Sequence, residues 1–176
     1  MNHLGLKVVN RIKNILIKKK IIIGSIAIVI LGAGLLVALF LNQNPLASDG
    51  FTEYDHARKK MDIELVNHGR FNVYIQDVLV NNKTPNKVQL VISYSGQLVA
   101  GGIDSSPWAK FVNIQDAPIH PRLSPEQIQE AVKTHSTPVH YGIRIYNDED
   151  IAFIKIKYKY MGIPFTREIN LDTWPE

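Results

Sequence analysis

Residues 139–160 read VHYGIRIYNDEDIAFIKIKYKY, and this stretch decides the fold class. Apolar side chains occupy every second position on both sides of the polar segment 147–150. Period-two alternation is typical of a β-strand with one buried face, and a short run of Asn, Asp and Glu is typical of a turn. The stretch therefore predicts two strands that pair as a hairpin, with one shared buried face: Tyr141, Ile143, Ile145, Ala152, Ile154 and Ile156.

Alternation of the same kind extends outward in both directions. The phase changes by one residue near Gln76–Asp77, which predicts a β-bulge, and Asn67-His68-Gly69 predicts a turn. Seven or eight short strands predict a mainly β domain, built as an antiparallel β-sandwich, with a small β-barrel as the alternative. The further alternating segments are residues 61–66, 71–80, 88–94 and 163–171.

One short helix is marked by its first residues. Ser124 is a suitable N-cap, Pro125 suits the first turn, and Gln127 stands at the capping-box position. Glu126 complements the positive end of the helix dipole. We expect this helix to end near Thr134.

An apolar segment precedes the β-rich part of the chain. Residues 21–41 carry no charge, and three lysines, 18–20, stand directly before them. About 20 apolar residues cross a bilayer as a helix, and flanking basic residues mark the cytoplasmic side. The sequence predicts a single-pass cell-membrane protein with an uncleaved signal-anchor. Its parts are a cytoplasmic tail (1–20), a transmembrane helix (21–41), a stalk (42–60) and an extracytoplasmic domain (61–176).

A cleaved signal peptide is the alternative, but its apolar region would be only about 7–15 residues long. The net charge of +4 arises in the N-terminal part, because the first 48 residues hold six Lys and Arg and no acid. A basic cluster beside an apolar segment indicates membrane topology, so no nucleic-acid partner is expected. The absence of cysteine excludes a disulfide framework and a thiol nucleophile.

Two short motifs resemble immunoglobulin-like modules. Residues 63–69 followed by Val78-Leu79-Val80-Asn81 resemble the first hairpin of such modules in bacterial surface proteins. Residues 141–145, YGIRI, are similar to the Tyr-bearing strand of immunoglobulin and fibronectin type III sandwiches, in which the Tyr hydroxyl pins a corner. The whole chain resembles uncharacterised single-pass membrane-anchored proteins of Gram-positive bacteria. That resemblance implies a membrane location and a sandwich fold, but it implies no activity.

An enzyme is not predicted, because the motifs of serine hydrolases, zinc proteases, phosphate loops and dinucleotide folds do not occur. No cofactor is expected. The alternative is an envelope metal-dependent hydrolase in which His120, His135 and His140 meet. Residues 148–150, three consecutive acids, are a further candidate, for calcium.

The leading functional hypothesis is an extracytoplasmic binding or scaffolding module, such as an accessory subunit of an envelope or membrane assembly. Its partner would be a protein or an envelope polymer. A regulatory sensor or inhibitor that signals through the anchor is a second alternative.

Two partner surfaces are predicted. Trp108 and Phe111 lie in the irregular stretch 101–121 and suit an interface, unless they plug an open end of the sandwich. The other surface is a cationic strip for polyanions: Arg144, Lys155, Lys157 and Lys159.

Overall fold

The computed structural model describes residues 24–26, 28–32, 34, 44–54 and 57–173. The chain divides into two units, Met1–Gln43 and Asn44–Glu176, of which the second is compact and β-rich. The predicted tail 1–20 and most of the predicted transmembrane segment 21–41 lie outside the described residues. Among the residues that are described, no helix is both long enough and apolar enough to span a bilayer.

Within residues 44–54 and 57–173 the chain forms eight strands and one α-helix. The strands are β1 (Leu46–Glu53), β2 (Lys60–Asn67), β3 (Val73–Val80), β4 (Lys87–Ser93), β5 (Ala109–Val112), β6 (His140–Tyr146), β7 (Phe153–Tyr160) and β8 (Ile163–Asn170). The helix α1 (Pro125–Thr134) lies between β5 and β6, and two 3-10 turns, Val99–Gly101 and Ile103–Ser105, lie between β4 and β5.

The strands form two antiparallel sheets. A five-stranded sheet has the order β1-β2-β6-β4-β5, and a three-stranded sheet has the order β3-β7-β8. The prediction of a mainly β fold with one short helix is confirmed. Strand β6 is central to the larger sheet, because it pairs with β2 on one side and with β4 on the other.

The predicted hairpin of residues 139–160 is wrong, because β6 and β7 lie in different sheets. The side chain of Asn81 explains the change of sheet. Its Nδ2 donates to the carbonyl of Asp150 (2.7 Å), and its Oδ1 accepts from the N–H of Ala152 (3.2 Å) and of Phe153 (3.0 Å). These bonds hold the connection against the end of β3, so the chain enters the sheet that contains β3. Alternation identifies both strands correctly but does not specify their partners.

Each sheet buries a row of apolar side chains on one face, which accounts for the period-two pattern, and β2 and β6 of the larger sheet are buried on their other face as well. The row of the larger sheet contains Met61, Ile63, Leu65, Leu90, Ile92, Tyr141, Ile143 and Ile145. The row of the smaller sheet contains Val73, Ile75, Val78, Val80, Ile154, Ile156, Tyr158, Tyr160 and Ile169. Burial of these apolar rows is the main contribution to the stability of the unit.

The predicted stalk, residues 42–60, contains strand β1, so the compact unit begins at Asn44 and not at residue 61. β1 pairs with β2 along its length, and Leu46 at its start is fully buried. The sequence signal was weak because the register of β1 shifts between Ser48 and Gly50. That irregularity interrupts the alternation from which a strand would have been predicted.

Several local predictions are confirmed. Ser124 and Gln127 form both bonds of the capping box, with Pro125 in the first turn. The register of β3 against β7 shifts between Ile75 and Asp77, where the bulge was expected. The β7–β8 hairpin places Arg167 opposite Ile156, and the Nε of Arg167 is buried without a hydrogen-bond partner among the described residues.

The turn between β2 and β3 depends on a glycine for space. A Cβ at Gly69 would lie 2.6 Å from the hydroxyl oxygen of Tyr160, which itself accepts a hydrogen bond from the N–H of Arg70 at 3.0 Å. We expect Gly69→Ala to lower the free energy of unfolding of the 44–176 fragment by about 1–3 kcal/mol, because the buried Tyr160 ring must move. Urea unfolding measures this loss.

The control is the double variant Gly69→Ala/Tyr160→Leu, which removes the hydroxyl and the two ring carbons that would lie 2.8 Å from the added Cβ. The double variant should then be more stable than the sum of the two single losses predicts. Strict additivity would show that the Gly69→Ala loss has another cause.

Candidate functional site

The outer face of the five-stranded sheet is covered, although alternation had predicted that it faces water. Val99 and Ile103 of the 3-10 turns are both fully buried and pack against Val91 of β4. Gly142 of β6 allows this approach, since a Cβ there would lie 2.5 Å from Val99 Cγ1. A second buried layer therefore exists on this face, and it contains charged side chains.

Arg144 is one of these charged side chains, with 4% of its surface exposed. Its Nε donates to Oδ1 of Asp62 (2.7 Å), and its Nη2 donates to Oδ2 of Asp62 (2.6 Å) and to the Tyr54 hydroxyl (2.8 Å). A further hydrogen bond joins Arg144 to Asp104, and the Phe111 ring lies 4.6 Å from the guanidinium carbon. Burial opposes the charge of Arg144, but the bonds to Asp62 and Asp104 outweigh it and raise the pKa of Arg144.

The predicted cationic strip is therefore wrong as a single surface. Arg144 is buried in the larger sheet, whereas the three lysines belong to β7 of the smaller sheet. Two of those lysines are also paired: Lys155 Nζ lies 3.0 Å from Glu168, and Lys157 Nζ lies 3.0 Å from Asp77. Lys159 is exposed. The strip was derived from the hairpin pairing of β6 with β7, which does not occur.

Glu64 is a further charged residue of this layer, beside Arg144 and Asp62, with 2% of its surface exposed. Its Oε2 accepts hydrogen bonds from the backbone N–H groups of Val99 (2.7 Å) and Ala100 (3.1 Å). Its Oε1 is buried and accepts no hydrogen bond from the described part of the chain. Nδ1 of His140 lies 3.2 Å from this oxygen, outside hydrogen-bond alignment.

A cavity of about 210 Å³ adjoins Glu64 at the end of the sheet where β2 ends and β6 begins. The polar residues of its lining include Asp49, Asn67, His120, Arg122, His140 and Tyr141. The Tyr141 hydroxyl is buried beside the backbone of His120. Its burial raises the pKa of Tyr141, and the backbone of His120 partly offsets that effect. The apolar part of the lining includes Leu98, Pro121, Ile128, Pro138 and Val139.

The resemblance to immunoglobulin and fibronectin sandwiches implied that the hydroxyl of Tyr141 pins a corner. In the structure the Tyr141 ring lies beside the ring of His120, at a centroid distance of 6.2 Å, and the backbone of His120 is the hydrogen-bonding group that acts on the hydroxyl. Two tyrosines of β7 make the structural contacts: Tyr160 holds the N–H of Arg70, and Tyr158 donates to Asn44.

The three histidines of the predicted metal site do not converge. His135 stacks on Trp108 with ring centroids 3.9 Å apart and contacts the carbonyl of Tyr94 through Nδ1, whereas His120 contacts Asn72. Across residues 44–54 and 57–173, no group of three or more His, Asp or Glu is arranged to hold a metal. Of the calcium candidates, Glu149 pairs with Lys83.

Trp108 and Phe111 are partly exposed, at 47% and 37% of their surfaces. Trp108 lies flat on the ring of His135, at an interplanar angle of 5°, and Phe111 covers the guanidinium of Arg144. A Trp that plugged an open end of the fold would be largely buried, so these positions do not favour plugging. A partner contact at Trp108 remains a prediction.

We expect Trp108→Ala to lower the free energy of unfolding by about 1–2 kcal/mol, because the side chain is 47% exposed and loses its stack on His135. Urea unfolding of the 44–176 fragment measures this change, with Trp108→Phe as a control that keeps an aromatic ring. A loss of about 3 kcal/mol or more would restore the plugging interpretation.

Comparisons with protein-family models, with curated proteins and with solved structures gave no match. The site therefore rests on its own geometry. Sequence reasoning missed Asp62 and Glu64, because a charged residue between apolar neighbours in a strand usually faces water. A signal was present in Gly142, since a glycine inside a strand often marks the close approach of another segment.

Proposed function

We propose that this chain is a single-pass membrane protein whose outer domain is an immunoglobulin-like binding module, with its ligand site at the Glu64 cavity. The observation that carries the proposal is the cavity of about 210 Å³ beside Glu64, a carboxylate that is 2% exposed and is held by the backbone N–H groups of Val99 and Ala100. A concave, mostly apolar pocket with a few polar groups in its lining is the usual form of a small-ligand site.

The strand order supports the immunoglobulin-like part of the proposal. Constant-type immunoglobulin domains place strands A, B, E and D in one sheet and C, F and G in the other. With β5 and α1 treated as an insertion after the fourth strand, β1-β2-β6-β4 corresponds to A-B-E-D and β3-β7-β8 corresponds to C-F-G. A fold of this type does not name a function, so the binding role rests on the cavity.

The membrane anchor rests on the apolar segment 21–41 and the lysines before it. The described helical residues add support, since their large apolar side chains are 54–73% exposed: Ile26, Ile28, Val29, Ile30 and Leu31. At 100° per residue these positions cover all sides of a helix, and a helix that is apolar all round suits a membrane span. We also propose that the chain belongs with the Gram-positive membrane-anchored proteins that it resembles.

Capture from solubilised cell envelope tests the binding role. The full chain in lipid nanodiscs is compared with Leu98→Trp, which narrows the cavity, and with Leu79→Trp, a matched change in β3 of the other sheet. We expect at least one protein, polymer or lipid to be retained by the wild type and by Leu79→Trp but lost from Leu98→Trp. Identical material on all three would contradict the proposal.

A second experiment tests the anchor. We expect the full chain to stay in the membrane fraction through alkaline carbonate extraction, and residues 44–176 to be cleaved by protease added outside intact protoplasts. Release of the full chain by carbonate would overturn the anchor without affecting the binding role.

A further inference from the structure

We infer that one end of the β-rich unit is a lipid-docking surface, at which Phe71, Met161 and Ile163 enter the headgroup region of an anionic bilayer. This interaction surface is separate from the ligand cavity, and the choice of a bilayer as its partner rests on the proposed membrane anchor. The inference follows from the segments that meet at this end, from the apolar side chains that they expose and from the charges that they carry.

Four segments of the chain meet at this end of the unit: residues 44–47, 67–74, 117–122 and 158–166. The N–H of His68 donates to the carbonyl of Pro45 at 2.8 Å. Val73 bridges to Ile119 on one side and pairs with Tyr160 on the other. We call this end the entry pole, because the compact unit begins in the first of the four segments.

The entry pole exposes large apolar side chains. Phe71 is 49% exposed, Met161 is 53% exposed and Ile163 is 37% exposed. All three adjoin the buried Tyr160: the ring of Phe71 meets the Tyr160 ring edge-on at a centroid distance of 6.0 Å, Met161 follows Tyr160 in the chain, and Ile163 pairs with it. Neighbouring exposed apolar side chains of this kind mark contact surfaces for proteins or membranes.

Met161 is an unfavourable residue for its turn. It forms with Gly162 the two-residue connection between β7 and β8, and the φ angles of the two residues are 53° and 79°. Positive φ at both positions favours Asn-Gly or Gly-Gly, which are also polar or small. An exposed thioether gains nothing from water, whereas a flexible apolar side chain is favourable against an apolar partner. The presence of Met at this position therefore supports contact with an apolar phase.

The charges of the entry pole favour an anionic partner. Its four segments contain no Asp or Glu. Arg70, Arg122 and Lys159 are exposed, and none of them forms an ion pair with the residues that the structure describes. Exposed apolar side chains beside unpaired basic ones are the usual composition of a surface that docks on anionic headgroups.

The acids around this surface stand farther along the strands or in α1: Asp49, Asp77, Glu126 and Glu168. Two of them are already neutralised, because Asp77 pairs with Lys157 and Glu168 pairs with Lys155. At the opposite end of the unit, the connection between β6 and β7 carries three consecutive acids, residues 148–150. The unit is therefore polarised, and an anionic surface favours the entry pole over the opposite end.

The start of the unit indicates which anionic surface this is. The predicted span ends at residue 41, so only residues 42 and 43 separate it from Asn44. Asn44 is held to the unit, since its Nδ2 donates to the carbonyl of Thr166 at 3.2 Å and its Oδ1 accepts from the Tyr158 hydroxyl. A chain covers at most about 3.6 Å per residue, so a bilayer that holds the span lies within reach of the entry pole.

Spin labels test the depth of the surface, since the chain has no cysteine of its own. The full chain is placed in nanodiscs of phosphatidylglycerol and phosphatidylcholine in equal parts, with the label on Met161→Cys or, at the opposite end, on Asp148→Cys. Electron paramagnetic resonance compares relaxation by oxygen, which enters the lipid, with relaxation by a water-soluble nickel chelate.

We expect the Met161→Cys label to lie about 5–10 Å inside the headgroup boundary. The Asp148→Cys label should lie in water, about 20 Å or more farther out, because the eight residues of β7 rise ~3.3 Å each between the two ends. A second label on Phe71→Cys must report the same depth as the first. Labels at Met161 and Phe71 that are as accessible to the nickel chelate as the label at Asp148 would overturn the inference.

Charge reversal tests the part of the basic residues. With the label on Met161→Cys, Lys159→Glu should shift the ratio of immersed to water-exposed label by about five-fold or more toward water. The matched control is Lys87→Glu, which reverses an exposed lysine at the opposite end, at the start of β4, and should leave the ratio unchanged. An unchanged ratio in Lys159→Glu, or an equal shift in Lys87→Glu, would overturn the inference.

The outcomes separate this inference from the proposed function. If carbonate leaves the full chain in the membrane but the Met161→Cys label stays in water, only the docking surface is wrong. Release of the chain by carbonate removes the anchor and this inference together, and leaves the cavity to be judged by envelope capture. A label that is exposed in nanodiscs but shielded from both relaxing agents in native envelope would identify a protein partner in place of lipid, and would overturn the inference.

Discussion

Arg144→Ala is expected to lower the free energy of unfolding of the 44–176 fragment by about 3–5 kcal/mol. The substitution leaves the carboxylate of Asp62 fully buried without the two hydrogen bonds that the guanidinium provides. It also removes the donor to the Tyr54 hydroxyl. Burial is the main cause that raises the pKa of Tyr54, and the hydrogen bond to Asp62 raises it further. The penalty is that of an unpaired buried charge, and urea unfolding measures it.

Two controls test that explanation. Lys83→Ala breaks an ion pair with Glu149 whose side chains are 69% and 63% exposed, so it should cost less than about 1 kcal/mol. The double variant Asp62→Leu/Arg144→Met removes both buried charges and should recover most of the stability lost in Arg144→Ala. A double variant as unstable as the single one would show that the geometry of the cluster, and not its charge balance, is essential.

Gly142→Ala is expected to cost about 3 kcal/mol or more, although it adds only one methyl group. The new Cβ would lie 2.5 Å from the carbonyl oxygen of Ile63 and 2.5 Å from Val99 Cγ1. The carbonyl belongs to β2 and cannot move without disturbing the pairing of β2 with β6. Movement of Val99 would in turn withdraw its N–H from Glu64.

Gly96→Ala is the matched control, since its Cβ would lie 3.8 Å from the nearest atom, a methyl of Val132. It should change stability by less than about 1 kcal/mol. Thermal and urea unfolding of both variants give the comparison. If Gly142→Ala were no more harmful than Gly96→Ala, the close packing of the 3-10 turn on β6 would be disproved.

Most strands were predictable because apolar side chains alternate along them, even in β2 and β6, which are buried on both faces. The helix was predictable because Ser124 and Gln127 form a local capping box, which needs no distant partner. The assignment of strands to sheets was not predictable in the same way. The side chain of Asn81 directs β7 into the smaller sheet through contacts with residues about 70 positions away, and no local pattern encodes them.

The candidate site was not predictable from the sequence pattern, for a related reason. Asp62, Glu64 and Arg144 alternate with apolar residues as solvent-facing side chains do, but the 3-10 turns cover them. Whether a face is covered depends on a segment 35 residues further along the chain, as the bond from Val99 to Glu64 shows. Trp108 and Phe111 were correctly recognised as prominent aromatic residues, but their partners, His135 and Arg144, could not be read from spacing.

The central place of β6 has a consequence for biosynthesis. The hairpins β1–β2 and β4–β5 are local and can form early, but β2 and β4 acquire their shared neighbour only after Tyr146 has left the ribosome. The bond between Asp62 and Arg144 spans 82 positions, and closing such a loop is entropically costly and slow. The pairing of β3 is delayed further, because its partner β7 ends at Tyr160. The nascent chain therefore exposes open strand edges for most of its synthesis, and protection from aggregation during that interval is a requirement of this topology.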